Sequence, residues 1–113
     1  MLAIARPWQE NIHKYSLVDA FLHANVGMIL NLQEVGEHDS CGPGNLPSSG
    51  FSYEPESFTA ARIGFYNFSW RDMGVPDVDR MMDIVQVCMH SISMGAWCVC
   101  SCVLRCVCLT LAA

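Results

Sequence analysis

A single α/β domain built on a mainly parallel sheet is predicted by three features of this 113-residue chain. Residues 26–32 form a short apolar run (Val26, Met28, Ile29, Leu30, Leu32), the pattern of a strand buried on both faces of a parallel sheet. Val78, Met81, Met82, Val85 and Met89 recur at helical spacing, predicting an amphipathic helix of about three turns. Between these segments the order helix, strand, loop, strand, loop, helix gives α/β layers.

Taken in order, residues 2–4 form a short strand closed by Arg6 and Pro7. Ser16 is expected to cap a helix reaching about Ala24, with Asp19 in its first turn and Leu17, Ala20, Phe21 and Ala24 on one face. Asn25 and Gly27 end it. Residues 33–50 hold Gly36, Gly42, Pro43, Gly44, Pro47 and Gly50 and read as a long loop. Residues 52–55 are expected to be extended, and residues 62–68 to form a strand with Ile63, Phe65, Tyr66 and Phe68 as its bulk. Pro76, Asp77 and Asp79 suit the start of the last helix.

Composition divides the chain. The apolar fraction of 52% excludes disorder. All eleven acidic residues lie between Glu10 and Asp83, whereas six of the seven cysteines lie between Cys88 and Cys108. Within residues 88–113 Arg105 is the sole Lys, Arg, Asp or Glu. Residues 1–87 are therefore expected to be the domain proper and residues 88–113 a Cys-rich apolar tail. A net charge of −5, with six scattered Lys and Arg, argues against nucleic-acid binding. Residues 1–7 do not make a secretory leader, so a cytoplasmic, reducing setting with free thiols is expected. His13, His23, His38 and His90 show no metal or triad spacing, and Cys41 reads as an ordinary thiol. No cofactor or metal is expected.

Residues Trp70-Arg71-Asp72-Met73-Gly74-Val75-Pro76 are the most distinctive stretch. They resemble the mobile acid loop of cysteine-dependent protein tyrosine phosphatases, with Arg71 where that loop usually has Pro. Matching segments follow the same order along residues 1–87: Ala3-Ile4-Ala5-Arg6-Pro7, Asn31-Leu32-Gln33, Gly36-Glu37-His38 with Ser40-Cys41-Gly42, Ser49-Gly50-Phe51 with Tyr53, and Phe65-Tyr66-Asn67-Phe68 with Trp70. The resemblance is to a dual-specificity-like branch of the family. It implies the incomplete N-terminal half of a phosphatase-type three-layer domain, a phosphoprotein substrate for the intact domain, and a nuclear or cilium-associated location as alternatives to the cytoplasm. It also implies a mechanism in which a Cys thiolate attacks phosphorus within an anion-binding loop and an Arg clamps the phosphate oxygens. Asp72 would then be the general acid for the leaving oxygen, a role worth about 10²–10⁴ in rate.

The family's nucleophile motif, His-Cys, five residues, then Arg, is missing. Val99 stands at the required distance before Arg105, Cys98 is one residue too far and Cys100 one too near. No Gly lies between these cysteines and Arg105, so the stretch is poorly suited to turning successive N–H groups onto an anion. No nucleophile is assigned. The tail has three other readings: thiols of Cys98, Cys100 and Cys102 on one strand face as a metal clip, a membrane helix over residues 94–113 interrupted by Arg105, or a segment of non-native origin. The last is preferred, because repeated Val-Cys is what an alternating G and T tract encodes and the resemblance is expected to stop near Val87; a shifted reading frame, retained intron or alternative exon would account for both. The protein is expected to be a phosphatase fragment with the acid loop and no nucleophile loop, or else a non-catalytic interaction module. Without later helices over one sheet face, it is expected to expose a large apolar surface.

Overall fold

The structure, a computed structural model, describes residues 1–40, 42–71 and 74–102, with only the backbone of Cys102. The expected α/β architecture is present. Four strands, β1 (Leu2–Ala5), β2 (Val26–Asn31), β3 (Gly64–Asn67) and β4 (Trp97–Cys102), form one all-parallel sheet in the order β1-β4-β2-β3. The last described strand is thus central, pairing Leu2 with Val99 on one side and Ile29 with Val99 on the other.

Side chains alternate across each strand and feed two apolar clusters on opposite sheet faces. Ile29 and Val99 point to the side covered by α1 (Gln9–Lys14), α2 (Leu17–His23) and α3 (Glu56–Thr59), where Ile12, Phe21 and Phe58 are buried. Leu30, Cys98 and Cys100 point to the side covered by α4 (Val78–Ser93), against Ile84. The β2–β4 register shifts between Val26 and Met28, where a Cβ on Gly27 would stand 2.5 Å from that of Ala96. Only a residue without a side chain permits that approach.

Several expectations need correction. Ser16 does not cap α2: it takes a left-handed conformation (φ 48°) in the tight joint between α1 and α2, and its side chain makes no capping bond. Residues 52–55 are a turn leading into α3 rather than an extended segment, because Tyr53 and Phe58 wind into the same core and are both fully buried. Helix α1 carries no strong periodicity. It is held by Gln9, whose backbone N donates to Ser52 O (2.9 Å) and whose side chain accepts from Glu54 N (2.7 Å). The strand expected from residue 62 starts at Gly64, since Arg62 is left-handed (φ 63°).

The compositional break at residue 87 is not a structural one. It falls inside α4, which runs on to Ser93, and residues 97–102 supply the central strand. The face of α4 turned inward also differs from the expected one. Ile84 and Ser91 are buried, whereas Val78, Met82, Val85 and Met89 are exposed.

Candidate functional site

Because all four strands are parallel, their carboxyl ends share one edge, and open α/β sheets bind ligands outside that edge. The acid-loop candidate leaves β3 there. Phe68 N donates to Asn31 O (2.9 Å) and Trp70 N to Leu32 O (3.0 Å), so the β2–β3 ladder continues into the loop. Trp70 then closes the loop on itself: its indole Nε1 donates to Gly74 O (2.9 Å), and Gly74 N donates to Arg71 O (2.9 Å). A Cβ on Gly74 would lie 2.9 Å from Arg71 O, closer than side chains tolerate. Asp77 ends the loop and starts α4, its carboxylate accepting from Arg80 N at 2.7 Å. Both ends of the loop are therefore braced. Asp72 itself lies outside the described residues. Trp70, Arg71, Gly74 and Arg80 border an open concavity of about 240 Å³.

The loop after β2 is tied to the same edge. Arg6, just beyond β1, donates to His38 O (3.2 Å) and Asn45 Oδ1 (3.4 Å), and Asn45 donates to Glu37 O (3.0 Å). Gln33 also donates to Glu37 O (3.0 Å). Between the strand ends lies a buried polar cluster of Asn31, Gln33 and Ser101. Ser101 Oγ and Gln33 N both donate to Asn31 Oδ1 at 3.4 Å. Asn67, with its amide turned to suit the network, donates to Asn31 O (2.8 Å) and Gln33 O (3.0 Å). Asn31 Nδ2 and Gln33 Oε1 have no partner, an uncommon state for buried amide atoms. Sequence reading noticed Asn31 and Gln33 only as matched letters; their signal was two polar residues at the close of an apolar run.

Comparison with known proteins puts these features in context. The chain is 43% identical over 95 residues, 84% of its length, to the mouse protein named protein tyrosine phosphatase domain-containing protein 1. It is 41% identical over the same length to the proteins of that name from Danio rerio and Bos taurus. The chain belongs to this family. It spans 12–13% of the length of these curated relatives. A matched stretch of 95 residues is longer than the 1–87 segment that holds the motifs, so the likeness continues past Val87. No family model and no solved structure matches the chain.

Strand β4 is the short strand following the long helix α4. Cys98 and Cys100 are within it, fully buried against α4. Ser101 is buried at the opposite face, near Tyr53. The strand is described as far as Cys102, and Arg105 lies outside the described residues. Among the described residues no three His, Cys, Asp or Glu cluster to hold a metal, and no helix is long and apolar enough to cross a membrane.

Proposed function

We propose that this chain is the acid-loop part of a tyrosine or dual-specificity phosphatase domain, and that it does not hydrolyse phosphoesters by itself. The observation that carries the proposal is a mismatch within one sheet edge. The Trp70–Gly74 clasp joins the residues on either side of the Asp72 position, while no Cys anywhere in the chain lies six residues before an Arg. In the intact domain Asp72 would protonate the leaving oxygen of a phosphorylated side chain, and the substrate would be a phosphoprotein in a reducing compartment. Here the acid has no thiolate to serve.

Hydrolysis of p-nitrophenyl phosphate tests this. The expected result is no turnover above buffer, with Asp72→Asn, Cys100→Ser and Cys102→Ser all indistinguishable from the parent. Vanadate-sensitive turnover abolished by either Cys substitution would overturn it. Reading the coding DNA across codons 86–110 in three frames tests the proposed non-native origin of the tail. A His-Cys, five residues, Arg pattern in a second frame is the supporting outcome.

A second reading, a non-catalytic interaction module, is favoured by the exposed apolar stripe of α4, formed by Val78, Met82, Val85, Met89 and Ile92.

A further inference from the structure

We propose that Cys88 and Cys98 are a redox-modification site: peroxide joins them in a reversible disulfide that fastens α4 to the central strand. Neither thiol is in a disulfide in this structure. Cys98, fully buried on β4, donates its S–H to Cys88 Sγ at 3.9 Å, and Cys88, half-buried on α4, donates to Met1 Sδ at 3.8 Å. Three sulfurs thus form a row running from the core toward the surface. A disulfide needs a sulfur separation of about 2.05 Å, so the two thiols must close by roughly 2 Å.

The two thiols are unequal in a way that assigns their roles. The S–H donated by Cys98 stabilises a thiolate on Cys88 and holds its pKa below the ordinary thiol value. Cys98 is pushed upward by donating that bond and by burial. The accessible, more acidic partner is the nucleophile, since the thiolate is the reactive form. Cys88 thiolate attacks one peroxide oxygen, the O–O bond breaks, hydroxide leaves and the sulfur becomes a sulfenic acid. The Cys98 sulfur then attacks the sulfenic sulfur. An S–S bond forms, the S–O bond breaks, and the hydroxyl departs as water with the Cys98 proton. Sulfur loses two electrons in all and peroxide gains them. The chemistry uses neither Asp72 nor the missing nucleophile loop, so it stands apart from the proposed function.

The test treats the folded 113-residue chain with hydrogen peroxide, alkylates remaining thiols, and maps chymotryptic peptides by mass spectrometry. Cleavage after Trp97 places Cys88 and Cys98 on separate peptides. The expected product has lost two hydrogens, carries a Cys88–Cys98 cross-link and returns to the starting mass with dithiothreitol. Cys98→Ala abolishes the link and Cys100→Ala preserves it. A product in which Cys98 remains alkylatable while Cys88 is over-oxidised, Met1 becomes a sulfoxide, or Cys88 pairs elsewhere would overturn the proposal. If Cys98→Ala does not fold, the parent peptide map still decides.

Discussion

Tyr53 is fully buried between the aromatic rings of Phe51, Phe58 and Phe65, and burial pushes its phenol up to about 12 from 10.0. The neutral form is favoured in the folded chain, so this contribution to stability is intact below the unfolded value. It is lost as pH rises through the window between the two values. At about 1.4 kcal/mol per pKa unit, the loss approaches about 2–3 kcal/mol by the top of that window. Tyr53→Phe should remove this part of the alkaline slope in urea unfolding; equal slopes for the two proteins would refute it. Asp77 gives a second test. It caps α4 through Arg80 N, and Asp77→Ala should cost about 1 kcal/mol in the same assay. Asp77 was readable beforehand because it stands one residue past Pro76, at a helix start. Ser16 was misread because a lone Ser before an apolar run cannot reveal that a second helix ends on its other side.

Helix α4 explains how a correct period can give an incorrect face. Its apolar residues fall in two stripes. Ile84, Val87 and Cys88 lie toward the sheet, while Val78, Met82, Val85, Met89 and Ile92 repeat at spacings of four and three on the solvent side. A hydrophobic count places the core under the longer stripe, but the packed side is the one that fits Leu30, Cys98 and Cys100. The consequence is an asymmetry between substitutions. Ile84→Ala, at 1% exposure, should cost about 2–5 kcal/mol through a core cavity. The pair Met82→Glu and Val85→Lys should change stability by about 0.5 kcal/mol or less each, as exposed positions do. The same pair should suppress concentration-dependent association in sedimentation velocity. Persistent association would mean that another surface drives it.

For the molecule as a whole, the parallel sheet and its flanking helices were legible because apolar runs and loops alternate in a fixed order. The place of residues 97–102 was not. Their alternating Cys and Val look foreign beside the mixed composition upstream, yet burial on both faces is what a central strand asks of its side chains, and small thiols and Val satisfy it. The polar cluster at the sheet edge was hidden for a different reason. Asn31, Asn67 and Ser101 come from three strands, and only their pairing brings them together.

The placement of β4 between β1 and β2 also sets a schedule for folding during synthesis. Among the described residues Leu2–Ala5 pairs with Val99–Cys102 alone, so β1 waits for β4 before it gains that neighbour. At translation rates of about 5–20 residues per second, that interval is about 5–20 s. Throughout it, β2 and β3 present an unpaired edge to the ribosome's surroundings. Holding chaperones have their opportunity in that interval, before the sheet acquires its centre.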